Sequence, residues 1–75
     1  MVVALRKEKI KKILARKNMS QNAFAFRIGV SSGYMSQLMS GIRNPSPLLR
    51  ERLLTVLKLD ENNFDKIFRI RNTNR

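Results

Sequence analysis

Residues 19–41 read MSQNAFAFRIGVSSGYMSQLMSG, and this stretch decides the fold. The Ser20 hydroxyl can accept from the free N–H groups of a helix start, so a helix is predicted over 21–28. Gly29 follows at once. Glycine enters the left-handed conformation without a Cβ penalty, so the chain can turn sharply there. Ser31 then caps a further helix over 32–39, where Tyr34, Met35, Leu38 and Met39 recur at helical spacing, and Gly41 ends it. The reading is two short helices joined by a tight turn.

Upstream, Ile10, Ile13 and Leu14 form one apolar stripe of an amphipathic helix predicted over 5–17. Its other faces carry Arg6, Lys7, Lys9, Lys11, Lys12, Arg16 and Lys17, and Asn18 suits the position just past its end. Downstream, Pro45 disfavours helical geometry in Asn44, so residues 42–45 form a loop. Ser46 and Pro47 then open a fourth helix with a capping hydroxyl and a residue whose missing N–H costs nothing at the first position. Leu49, Leu53, Val56 and Leu57 are its buried stripe. Asp60 caps a fifth helix with Phe64, Ile67 and Phe68 on one face, and the polar end, 71–75, is expected to fray. No repeat, strand pattern or low-complexity segment stands out. The fold class expected is all-α, a compact five-helix bundle.

A chain of 75 residues has room for one domain, 1–75, with its core over about 5–68 and a flexible tail or linker over 69–75. Asn72, Thr73 and Asn74 suit a tail or a connection to an effector domain equally well. There is no Cys or His, which excludes disulfides, thiolate or imidazole metal sites, and nucleophile arrangements built on either residue. The acids Glu8, Glu51, Asp60, Glu61 and Asp65 read as helix starts and solvated faces, so no enzyme, metal or cofactor is expected. No apolar run approaches the roughly 20 residues of a membrane span, and a cytoplasmic, nucleoid-associated protein is expected. The net charge of +11, with a pI of about 11.5, costs self-repulsion that a polyanion would relieve. Nucleic acid or an anionic membrane surface is implied.

Taken with their positions, these residues resemble the helix-turn-helix of the phage Cro and repressor family, the Xre-type regulators. Gln21 stands where that family places a Gln at the start of its second helix. Ala25 stands where a small residue lets two helices cross closely, Gly29 occupies the turn, and Ile28, Met35 and Leu38 occupy the apolar positions. The resemblance extends over about residues 5–68, through the Pro-containing loop, the Leu-rich fourth helix and the Leu-Asp-Glu-Asn boundary at 59–62. It implies a lambda-repressor-like DNA-binding domain whose third helix lies in the major groove while the second crosses the backbone.

Ser32, Gly33, Ser36 and Gln37 lie opposite Met35 and Leu38 and are the expected base contacts. Gln37, with a donor and an acceptor, suits bidentate pairing with adenine, while the serines specify less. The resemblance gives Gln21 a phosphate at the start of its helix, aided by the helix dipole, and gives Arg43 and Asn44 another. Ser31 and Tyr34 are further backbone candidates, Tyr34 having the alternative of resting on the core. Outside such a motif, a Gln and a few serines on a helix face would be plain solvated surface. Most of the first helix's lysines are read that way, with two or three touching phosphate. Phe24, Phe64 and Phe68 are read as core, the Met residues as core or gap-fillers, and Phe26 as partly exposed.

Three departures stand out. The family often pairs an Arg late in helix one with a Glu closing the recognition helix. Here the positions are Leu14 and Met39, a physically sensible joint replacement of an ion pair by packed hydrophobes. Gly33 stands where a base-reading side chain is usual, which either lowers specificity or lets the helix sit deeper. Ala23 removes the capping-box partner of Ser20. The function expected is sequence-specific binding of double-stranded DNA by a bacterial or phage regulator, a repressor acting as a homodimer on a palindromic operator, with no small-molecule ligand in this domain. The alternatives are a nonspecific basic nucleic-acid binder and a helix-turn-helix that meets a protein.

Overall fold

Apart from the first, helix starts in this chain are marked by oxygen-bearing side chains, as the computed structural model, which describes residues 2–71, shows. Strand β1 (Val2–Leu5) precedes helix α1 (Lys7–Arg16). Helices α2 (Gln21–Ile28), α3 (Ser32–Ser40) and α4 (Pro47–Val56) follow, then a single 3₁₀ turn (Glu61–Asn63), the short helix α5 (Phe64–Ile67) and strand β2 (Phe68–Arg71). The hydroxyls of Ser20, Ser31 and Ser46 accept from the N–H groups of Ala23, Tyr34 and Leu49 at 3.0, 3.0 and 3.2 Å. The Asp60 carboxylate accepts from Asn62 N–H at 3.0 Å, and Asn63 Oδ1 accepts from Asp60 N–H at 3.5 Å.

Three helices end in the same device. Asn18, Gly29 and Lys58 take positive φ of 55°, 81° and 58°. The residue after each donates its N–H back over the last turn: Met19 to Leu14 O, Val30 to Ala25 O, and Leu59 to Leu54 O, at 2.9, 3.0 and 2.8 Å. Carbonyls that would otherwise be orphaned are thereby satisfied, and an apolar residue is folded under the helix end. At Gly29 the backbone angle is the constraint, since a Cβ there would lie 3.3 Å from Arg52 Nη1, the movable end of an exposed side chain.

The core draws on every helix: Ile10 and Leu14 of α1, Phe24, Ala25 and Ile28 of α2, Met35, Leu38 and Met39 of α3, Leu49 and Leu53 of α4, and Ile67 of α5. Leu57 and Phe68 complete it, and among the described residues no polar or charged side chain is buried. Leu14 and Met39, the joint apolar pair noted in the sequence, are both buried and belong to one continuous core.

Five helices follow in the order read from the sequence, although α1 is shorter at both ends and Asp60 caps the 3₁₀ turn that leads into a four-residue α5, and a two-stranded antiparallel sheet is added to them. Val2 pairs with Arg71, Val3 with Ile70, Ala4 with Arg69 and Leu5 with Phe68. Leu5 therefore lies in a strand rather than in the first helix, and Phe68 opens a strand rather than closing the fifth helix. Arg69, Ile70 and Arg71, expected as the start of a tail, are strand residues, while 72–75 lie outside the described residues. Four-residue strands are too short to announce a period of two, and each partner lies at the opposite end of the chain. Arg6 locks the junction: its N–H donates to Ile67 O at 2.8 Å, and its Nε lies within bonding reach of the carbonyls of Asp65 (2.8 Å) and Phe68 (3.1 Å). Phe68 is fully buried, with its ring centroid 4.6 Å from that of Phe64. Phe68→Ala should cost about 3–5 kcal/mol. For a domain whose whole stability is on the order of 5 kcal/mol, this brings the urea midpoint close to zero, checked by circular dichroism against an Arg69→Ala control that stays folded.

Candidate nucleic-acid interface

The amphipathic pattern of α3 determines what it can offer to solvent. Met35 and Leu38 are buried against the other helices, so the opposite side of α3 faces outward and carries Ser32, Gly33 and Ser36, all exposed, and Gln37, half-buried. Ala25 is buried where α2 approaches α3, and Gly29 makes the turn between them. A bulkier residue at position 25 would overpack the core around it.

The structure brings the candidate residues together in two clusters. In the first, Gln21 at the start of α2 donates from Nε2 to Ser36 Oγ at 3.4 Å, which ties α2 to the outward face of α3. In the second, Arg43 folds back from the loop after α3. Its Nε donates to Gln37 Oε1 at 2.6 Å, its backbone N–H donates to Gln37 O at 3.2 Å, and its guanidinium stands 5.0 Å from the centroid of the Tyr34 ring. Tyr34 is half-buried and packs against the core edge, so its ring serves both as a wall of the core and as a platform for Arg43. Ser40 Oγ donates to the same Gln37 carbonyl at 3.2 Å, which closes the helix end.

Ser32, Gly33 and Asn44 stand outside both clusters, exposed to solvent. Ser31 is exposed as well, with its hydroxyl oxygen engaged as the cap of α3. The link between Gln37 and Arg43 was not read from the sequence; the only available signal was Gly41, whose positive φ of 86° turns the chain back over the end of α3. The bond has a chemical consequence. Bidentate pairing with adenine uses both the amide oxygen and the amide nitrogen of Gln37, and here Arg43 takes one of the two lone pairs of that oxygen and fixes the amide's orientation, leaving the second lone pair and the NH₂ group for a partner. Ile42, at the tip of the same loop, is 73 % exposed and was not singled out in the sequence. Phe26 is 86 % exposed, more than its partial exposure in the sequence reading.

An outward-facing second helix of a tight helical pair, flanked by polar and cationic side chains on a basic domain, defines a DNA-binding helix-turn-helix protein. The helix-turn-helix family model HTH_3 matches residues 10–63, and the chain belongs to this Xre, Cro and C1 type of DNA-binding transcription regulator. Among solved structures the fold is similar to that of the restriction-modification controller protein C.AhdI from Aeromonas hydrophila, at 24 % identity and a TM-score of 0.67 over 77 % of this chain and 88 % of that one. It is also similar to SinR, the master regulator for biofilm formation, solved in complex with DNA, at 25 % identity and a TM-score of 0.64 over 77 % of this chain and 94 % of that one. No curated relative matches the chain.

Gly33 is helical, and an added Cβ would meet nothing within 4 Å. Gly33→Ala should therefore stabilise the domain by about 1 kcal/mol through helix propensity alone. Thermal denaturation followed by circular dichroism should show a rise in Tm of about 4–8 °C.

Proposed function

We propose that this protein is a sequence-specific binder of double-stranded DNA that represses transcription by occupying an operator. The observation that carries the reading is the outer face of α3, where Ser32, Gly33, Ser36 and Gln37 form one surface between Gln21 on one side and Arg43 and Asn44 on the other. In this reading α3 enters the major groove, Ser32, Ser36 and Gln37 meet base edges, and Gly33 lets the helix backbone approach closely. Gln21 and Ser31, at helix starts, and Tyr34, Arg43 and Asn44, at the end of α3 and in its loop, hold the phosphate backbone on either side and set the register. A bulky side chain at position 33 would hold the helix off the base pairs.

One such domain makes few base contacts. A homodimer on a palindrome, with half-sites about 34 Å apart, supplies the affinity a specific site needs. The role is binding rather than catalysis, in the cytoplasm and on the nucleoid, and no helix among the described residues is long and apolar enough to cross a membrane. A nonspecific mode of binding has one observation in its favour: the charge of +11 is spread well beyond the reading face.

Selection of bound duplexes from a random pool at about 150 mM salt separates the two modes. A specific regulator enriches a dyad-symmetric site, and Gln37→Ala relaxes the preference at one base pair per half-site by about 1–3 kcal/mol. Binding that enriches no sequence and fades as salt rises would leave only a nonspecific polycation.

A further inference from the structure

The strand pairing places two arginines where the sequence had implied a tail. Register puts Arg69 and Arg71 on the same face of the sheet as Ala4 and Val2, while Phe68 and Leu5 share the other. Phe68 is fully buried, so the Phe68 face is the core face and both arginines point outward, where they are exposed. Two positions along a strand separate them by about 7 Å, near the spacing of neighbouring phosphates on one DNA strand.

This arginine face is not isolated. It lines an open groove together with Lys7 and Lys9 of α1, whose far wall is Ser40 and Gly41 at the end of α3. Among the described residues Glu8 is the only carboxylate lining that groove, against the cationic heads of Lys7, Lys9, Arg69 and Arg71. Arg6 also lines it, but its Nε bonds to the carbonyls of Asp65 and Phe68 commit it to the fold. Like charges held this close repel one another, a cost that a polyanion seated in the groove would relieve. The groove begins where the reading face ends, since Ser40 and Gly41 lie between Gln37 and the Arg43–Asn44 loop.

We infer that the terminal sheet and the first turn of α1 form a second phosphate-binding surface, which takes the DNA backbone beyond the base pairs read by α3. The inference rests on the DNA-binding reading above and adds to it a flanking contact that is blind to sequence. Arg69 and Arg71 hold successive phosphates, Lys7 and Lys9 add to the same field, and the sheet pairing holds the arginines in place before DNA arrives.

The test is the salt dependence of binding to the selected duplex and to a random one, for the full chain and for Arg69→Gln/Arg71→Gln. Each lost phosphate contact lowers the slope of log K against log salt by about 0.9, so the double variant should lose about 1.8 in slope, and affinity should fall on the order of tenfold on both duplexes alike. Its Tm should be no lower than the parent's, and Lys7→Gln/Lys9→Gln, which leaves the sheet untouched, should lower the slope in the same direction. Trimming the duplex flanks should weaken the parent and leave the arginine variant nearly unaffected. Unchanged slope and affinity in both variants, with the parent still selecting its sequence, would overturn this surface alone, as would a change in the sequence selected. A parent chain that binds no DNA would overturn the DNA-binding reading beneath it.

Discussion

The structure depends on the crossing of α2 and α3, and that crossing depends on what positions 25 and 29 lack. Ala25 is buried with a single methyl group, and Gly29 turns the chain in a conformation that a side chain would strain. With the helices this close, Met35 and Leu38 reach the same core as Phe24 and Ile28, and α3 is left with one free side. The outer face of α3 is thus the remainder of a packing problem. Its residues are on the surface because the alternate ones are fully engaged inside.

What that face can recognise is narrowed by the loop that follows it. Arg43 returns over the end of α3, donates to the Gln37 side chain and stacks against Tyr34, so three residues that look independent along the chain form one unit. A glutamine whose oxygen accepts from an arginine is held in one orientation, with its second lone pair and its NH₂ group still open to a partner, and a guanidinium held at the helix end presents its remaining N–H groups beside it. Substitution at any one of the three alters the other two, so single changes here are not additive.

The chain's two ends are drawn together by the sheet, with Arg6 bonded across the seam to the α5–β2 junction. For a small domain this adds Phe68 to the core and covers the side of the bundle that α5, at four residues, is too short to cover alone. At the N-cap position of α1 the Arg6 guanidinium, a donor only, cannot accept from the free N–H groups of the helix start, and it bonds to carbonyls of α5 and the sheet instead.

Most of the helical plan was legible in the sequence, because its signals are local. A serine three residues before the N–H it caps, a glycine where the backbone turns left-handed, and apolar residues three and four apart each act within a single turn, so Ser20, Ser31, Ser46 and Gly29 mark their elements in the one-dimensional string. The outward position of Ser32, Gly33, Ser36 and Gln37 followed from the same periodicity. The pairing of Val2–Leu5 with Phe68–Arg71, and the bonds from Gln21 to Ser36 and from Arg43 to Gln37, were decided only by the tertiary structure. Short strands carry too little period to be recognised alone. A side-chain hydrogen bond between separate elements exists only after the core has brought them within about 3 Å of one another.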